Sequence, residues 1–463
     1  MWINREGPTR RELLGRAGLG FGMAALAHLL GEEGLLEAAP AGGSPPGPHH
    51  VPRARSVIWL FMEGGPSGFD LFDPKPELDR AHGKRLEGVE VFFGRPGPLL
   101  RSPYRFRRHG RCGAWVCEKY PALAECVDDI AFIKSVHAES NSHAPAMFQM
   151  NTGVIRPGFP SAGAWVTYGL GTENRNLPGF VVLGNRIGTK GGPLNWGAGF
   201  LPSSYQGTVF RTQGTPILNL ARPADMSAPD QRAQLDLLGR LNVEHRRRHP
   251  DEEALRARIE SFELAYRMQT EALEAVDLSR ETEETRRLYG LDREETRPYG
   301  EKLLLARRLV ERGVRFVQAY VDDQWDAHEN LKKNHDARCE ETDVPIAGLL
   351  KDLKRRGLLE TTLVVWGGEF GRMPVSQGGL GRDHNPHGFL VWMAGGGVRG
   401  GTSYGELDEL GYKIARDPVS VPDLHATILH LLGMDHRRLT YRHNGRRYRL
   451  TDVSGRVIEE ILA

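Results

Sequence analysis

The feature that most limits what this chain can fold into is a set of short apolar runs, most of them closed by glycines. "SVIWLFMEGG" spans Ser56 to Gly65. "DDIAFIKSV" (Asp128 to Val136), "GFVVLG" (Gly179 to Gly184), "VRFVQAYV" (Val314 to Val321), "TTLVVWGG" (Thr361 to Gly368) and "GFLVWMAGG" (Gly388 to Gly396) repeat the pattern. A strand with one wet face alternates polar and apolar residues. A run without alternation reads as a strand buried on both faces, as in parallel sheets. Helical patterns lie between the runs. "EKLLLARRLVERG" precedes the Val314 run and "PIAGLLKDLKRRG" the Thr361 run, each ending in Lys or Arg and a glycine. Helix alternating with buried strand predicts an α/β fold, a doubly wound, mostly parallel sheet. Asp251 to Asp277 reads as a longer amphipathic helix within a helical insertion from about Asp225 to Tyr299.

The N-terminus reads as an export address. Thr9-Arg10-Arg11 and Leu13-Leu14 precede a weakly apolar Gly/Ala-rich segment, Ala17 to Leu30, too short and too soft for a stable membrane span. The paired arginines point to the twin-arginine export machinery, and "AAPAGGSPPGPHH" to a cleavage region or linker. Residues 1–45 are therefore expected to be signal peptide and linker, residues 46–463 the α/β domain, and the destination the periplasm or cell envelope. The formal net charge is only +2, so nucleic acid is not an expected partner. The basic stretch His436 to Leu450, with Tyr441 and Tyr448 between its arginines, reads as a solvated edge. Cys112, Cys117, Cys126 and Cys339 form no CxxC pair, which argues against structural zinc. Cys112 and Cys117 either close a short disulfide after export or stay free thiols.

Ligands of open α/β sheets bind beyond the carboxyl ends of the strands. The residues at those places are rich in metal-ligating types. Glu63 follows the first run, Asp326 and His328 the Val314 run, and Glu369 and Arg372 the Thr361 run. Asp383, His384 and His387 stand in "GRDHNPHG", read as a loop before the Gly388 run. Carboxylates mixed with imidazoles suit a divalent ion such as zinc, manganese, iron or calcium. Asn141, Ser142 and His143 stand where a helix begins, a place that favours an anion; the alternative is that Asn141 or Ser142 caps that helix. Arg372 and Arg382 are candidate anion clamps, because a guanidinium matches a tetrahedral oxyanion.

Taken together, the twin-arginine start, "GGPSGFDLFDPKP", "HAPAMFQMNTG", "WDAHENL", "TLVVWGGEFGRMP", "GRDHNPHGF", "DLHATILHLLG" and "RRYRLTDVSG" resemble the exported bacterial family labelled domain of unknown function 1501. That family is related to the alkaline phosphatase/sulfatase superfamily. The resemblance implies that superfamily's fold, with a metal-binding acid at Glu63, the Asp/His pair at Asp326 and His328, and a final histidine at His384 or His387. It places the nucleophile position on His143, beside Ser142, and turns the superfamily's Asp-His-Gly into Glu369-Phe370-Gly371. The implied activity is metal-dependent hydrolysis of phosphate or sulfate esters, with an anionic ester or a sulfated or phosphorylated glycan as substrate. One metal with a water nucleophile suits these residues, His143 serving as general base or anion ligand. The alternative is a non-catalytic sulfatase-like protein that binds an anionic glycan or a protein partner.

Overall fold

Each of the six apolar runs forms a strand in the computed structural model of the protein. The strands that matter for the site are β1 (Ser56–Phe61), β2 (Ile130–His137), β3 (Phe180–Leu183), β4 (Thr208–Phe210), β5 (Phe316–Tyr320), β6 (Thr362–Gly367), β7 (Gly371–Gln377), β8 (Gly381–Asn385), β9 (Phe389–Ala394), β10 (Thr402–Tyr404) and β11 (Val419–Ser420). The helices around them are α1 (His143–Thr152), α2 (Ala162–Leu170), α3 (Ala228–Arg248), α4 (Glu253–Val276), α5 (Arg297–Glu311), α6 (Leu331–Arg355) and α7 (Val421–Leu431). The structure describes residues 45–463 except 93, 185–187, 213–216, 218–219, 221, 223–224, 249–252 and 322–323. The twin-arginine segment thus lies outside the described residues. Residues 45–443 with 447–463 make one compact unit; of the other, 1–44 with 444–446, only the last three residues are described.

Among the described residues, nine strands form one sheet in the order β10-β2-β9-β6-β1-β5-β3-β4, with β11 also paired to β2. All neighbours are parallel except β9, which runs antiparallel to β2 and β6. The Gly388 run was expected to be parallel like the rest. Burial on both faces gives the same apolar run in either direction, so the sequence pattern could not separate the two.

Alternate residues of β1 feed two cores. Ile58 and Leu60 join a layer with Leu303 and Leu304 of α5 and Ile346, Leu349 and Leu353 of α6. Val57, Trp59 and Phe61 join a layer with Met147 and Met150 of α1, Trp165 of α2, and Leu424 and Ile428 of α7. The sheet is therefore covered by helices on both faces, as a buried parallel sheet requires. α6 starts well before the Pro345 at which its pattern became legible. Asn330 caps it by accepting from Lys333 N–H at 3.0 Å, and burial of one long face outweighs the ~3 kcal/mol cost of an interior proline. The region expected as an insertion holds α3 and α4 and a short helix at Glu283–Leu288. No helix of the described residues is long and apolar enough to cross a membrane. The cysteines are free thiols, with Cys112 exposed and the other three buried, so the Cys112–Cys117 disulfide does not form here.

His425 of α7 is fully buried against the edge of Trp59, with Nε2 2.9 Å from the Met150 carbonyl. Burial depresses its imidazole to about 4. Above pH 6.5 it is neutral in both folded and unfolded chains and contributes no pH dependence. Between pH 6.5 and about 4 only the unfolded chain takes the proton, so stability falls by about 3 kcal/mol across that window. His425→Gln should flatten that part of the profile in urea unfolding followed from pH 7 to 4. An unchanged slope would refute this account of the buried imidazole.

Candidate metal centre

The register of β1 brings the site together. Phe61 is level with Tyr320 of β5 on one side and with Gly367 of β6 on the other. Chain leaving all three ends therefore emerges side by side, carrying Glu63, Asp326 and Glu369. Gly64 allows the closest approach: it sits at φ +105, and a Cβ there would be 2.6 Å from the Asp326 and Trp325 nitrogens. Trp325 N–H donates to the Glu63 carbonyl at 2.8 Å, pinning the Asp326 loop to the end of β1.

The segment "GRDHN" is not the loop the sequence suggested. It is strand β8, paired antiparallel with β7 and with a register shift between Arg382 and His384. Glycine is required at its start, because a Cβ on Gly381 would lie 1.8 Å from the His328 carbonyl oxygen. Leu331 N–H donates to the Leu380 carbonyl, and Arg382 N–H to that of Ala327. The β7–β8 ribbon thereby holds the Asp326–His328 segment alongside itself.

Four side chains converge: ligand atoms of His143, Asp326, His328 and His384 all lie within 4.8 Å of one another. Each imidazole turns Nε2 towards Asp326. His143 Nε2 lies 3.0 Å from Oδ2, while His328 and His384 Nε2 lie 2.9 and 3.4 Å from Oδ1. Each Nδ1 faces another oxygen: Glu369 Oε1 for His143 (2.6 Å), the Asn141 carbonyl for His384 (2.6 Å), and Gln377 Oε1 for His328. An Nδ1 that donates to oxygen carries the proton and leaves an Nε2 lone pair. Three such lone pairs aimed at one carboxylate repel it unless a cation lies among them, a proton or a metal ion. This donor set, three nitrogens and a carboxylate, fits a divalent transition ion.

Burial tends to raise Asp326, but the three imidazoles beside it, joined by Arg372, hold its carboxyl far below the usual range. Burial pulls His143 down, yet its bonds to Asp326 and Glu369 win and raise it. His384 is lowered to about 4, mainly by burial, Asp326 opposing and Arg372 adding to the effect. Its ring is stacked between Phe370 at 4.3 Å and Phe92 at 5.2 Å. Phe370 thus occupies the neighbourhood of the ring where the resemblance expects a ligand, and it also touches His143 at 4.9 Å.

The other expected ligands stand outside the four. Glu63 is fully buried and accepts from Lys190 N–H and Gln324 Nε2, each at 2.9 Å. Burial, reinforced by Glu369, pushes it up to about 7. Glu369 orients His143 and accepts from Gly64 N–H at 3.0 Å. Asp383 lies behind His328, with Oδ1 3.8 Å from Nδ1, and takes Phe92 N–H on Oδ2. His387 does not reach the cluster; its ring packs edge-on to Tyr412 at 5.7 Å. β8 ends at Asn385, and the chain has turned away by His387.

The anion clamps also read differently. Arg372 is buried and gives its donors to the Gly64, Gly65 and Arg382 carbonyls and to Asp326 Oδ1. Arg382 is fully buried, its donors taken by Asp70 and by the carbonyls of Leu100, Arg101, Met373 and Pro374. Neither has a guanidinium edge to offer a ligand. Asn141 serves His384 with its backbone carbonyl. Ser142 is the N-cap of α1 but makes no side-chain cap bond, and His143 is the first helical residue. Sequence reasoning missed Lys190, whose Nζ lies 3.1 Å from Asp326 Oδ2. Its position after β3 places it among the strand-end residues that the fold rule selects.

A family described as "Protein of unknown function (DUF1501)" matches residues 54–462. Among curated proteins no significant match was found. Similar solved structures include the PsFucS1 sulfatase from Pseudoalteromonas sp., at 12% identity and TM-score 0.36, covering 89% of this chain and 70% of that one. The phosphonate monoester hydrolase SpPMH from Silicibacter pomeroyi aligns at 13% identity and TM-score 0.38, over 74% of this chain and 71% of that one. An alkaline phosphatase from the Antarctic bacterium TAB5 aligns at 10% identity and TM-score 0.33, over 82% and 98%.

Proposed function

We propose that this chain, which belongs to the DUF1501 family, is a metal-dependent hydrolase of phosphate or sulfate esters that works in the cell envelope after twin-arginine export. The observation that carries the reading is the aim of three Nε2 atoms at one carboxylate, each with its Nδ1 facing an oxygen. Asp326, His328 and His384 would hold the ion, three protein ligands being the usual number where a position stays open for chemistry. When bound, a divalent ion supplies Lewis acidity towards an ester oxyanion. The remaining work belongs to the side chains around it. His143, with Nδ1 facing Glu369, is the general base and takes a proton from the incoming water on Nε2. Arg372 holds Asp326 in place. The open side lies where Asp326, His328 and Lys190 keep 22%, 28% and 33% of their side chains in solvent.

Metal analysis of the purified protein with a panel of phosphate and sulfate esters tests this. Stoichiometric metal with turnover is expected. His143→Gln should keep its metal and lose roughly 10²- to 10⁴-fold in kcat, the range of a general base. Full activity in that variant removes His143 from the chemistry. One observation favours the alternative of a non-catalytic anion-binding protein: both ring nitrogens of His143 already have carboxylate partners. Metal and anion binding without turnover on any ester would establish that reading instead.

A further inference from the structure

We propose that Lys190 is the receptor for the tetrahedral anion and that metal loading releases it for that task; the inference rests on the proposed ester hydrolysis. Arg372 and Arg382, the cations a sequence would nominate, are buried and committed to fixed acceptors. Lys190 stands at the open side instead, its side chain 33% exposed. Its main chain is anchored from both directions. The N–H donates to Glu63 Oε1 at 2.9 Å, and the carbonyl accepts from Asn195 Nδ2 at 2.8 Å. A held backbone with a flexible four-carbon stem lets the ammonium move without moving the loop.

The partner of that ammonium is the group a metal would claim. Lys190 Nζ is 3.1 Å from Asp326 Oδ2, and His143 Nε2 approaches the same oxygen at 3.0 Å. A divalent ion held by Asp326, His328 and His384 competes with the ammonium for this carboxylate. With the carboxylate serving the ion, Lys190 would lose its counter-charge and meet a like charge, which a phosphate or sulfate dianion bound by the ammonium would offset. The order is then fixed by electrostatics: the cation binds first, and the anion second at a site the cation has opened. Without the ion, Asp326 retains the lysine and repels an anion.

Calorimetry on the full purified protein tests the coupling, with zinc as the cation and inorganic phosphate and sulfate as the anions. Wild type should bind phosphate measurably only when zinc-loaded. Lys190→Met should take up zinc at least as tightly, since a competing cation has gone. It should lose phosphate affinity by roughly ten- to a hundredfold, the worth of a charge-assisted hydrogen bond. Lys190→Arg should recover part of that loss. Equal phosphate affinity in Lys190→Met, or in zinc-free and zinc-loaded wild type, overturns the proposal. So does a methionine variant that loses zinc while binding phosphate normally, which would make the lysine a structural partner. Wild-type protein that takes up no metal would instead sink the hydrolase reading itself.

Discussion

His384→Ala should cost roughly a hundredfold or more in metal affinity, whereas His387→Ala, three residues along the same segment, should leave occupancy at the wild-type level. Even the outer partners of a metal ligand are worth about 10- to 100-fold, and a direct ligand exceeds them. The two imidazoles differ only in where the chain delivers them. His384 is held on a strand, between two phenyl rings, with Nδ1 on the Asn141 carbonyl and Nε2 3.4 Å from Asp326. His387 lies past the strand end, against Tyr412. Truncating His384 also empties space beside Phe370, so His384→Gln is the companion variant that keeps volume there. Titration of each purified variant with zinc, with circular dichroism as the check on folding, reads the outcome. A folded His384 variant with full metal, or a His387 variant without it, would remove β8 from the site.

Why the two histidines looked equivalent in the sequence is a matter of what makes a pattern visible. The six central strands were legible because burial on both faces demands unbroken apolar runs. The β7–β8 ribbon is just as buried, yet its sequence is polar. Arg372, Ser376, Arg382, Asp383, His384 and Asn385 are all buried there. Arg372, Arg382, His384 and Asn385 tolerate burial because carbonyls, Asp326 and Asp70 of other elements meet their polar atoms, a condition that no periodicity records. Gly378 and Gly379, at φ +60 and +91, turn the ribbon, and it is Gly381, Pro386 and Gly388 that make the segment read as loop.

The same limit explains the roles that changed. Arg372 and Arg382 carry the right charge for an anion, but charge does not reveal how many acceptors already surround a side chain. Lys190 stands in the glycine-rich segment "GTKGG", which carries no ligand pattern, and only the structure shows its ammonium beside Asp326. What the sequence did expose was composition at strand ends: Glu63, Asp326 and Glu369 stand after three adjacent strands, and a parallel sheet in register must bring them side by side.

Asp70→Ala should be the most destabilising of the changes considered, by about 3–5 kcal/mol, and should weaken metal binding without touching a ligand. Asp70 and Arg382 form an ion pair with both side chains fully buried, Oδ2 and Oδ1 lying 2.8 and 3.2 Å from Nε and Nη2. The guanidinium also lies over the Phe69 ring, 4.7 Å from its centre. Removing the carboxylate leaves a positive charge in the core with carbonyl dipoles and the Phe69 ring around it but no counter-charge bonded to it. The alternatives are to expel Arg382, which would unpick β8, or to keep it unpaired; either raises the energy of the folded chain. His384 and the Ala327 anchor belong to that same strand, so the ligand geometry should loosen with it. A buried pair is costly to break but replaceable as a unit. Asp70→Leu combined with Arg382→Met should therefore recover most of the lost stability in urea unfolding, and with it the zinc affinity. If Asp70→Ala costs less than about 1 kcal/mol, the range of an exposed pair, or if zinc affinity is unchanged while stability falls, the ribbon does not position the metal centre through this pair.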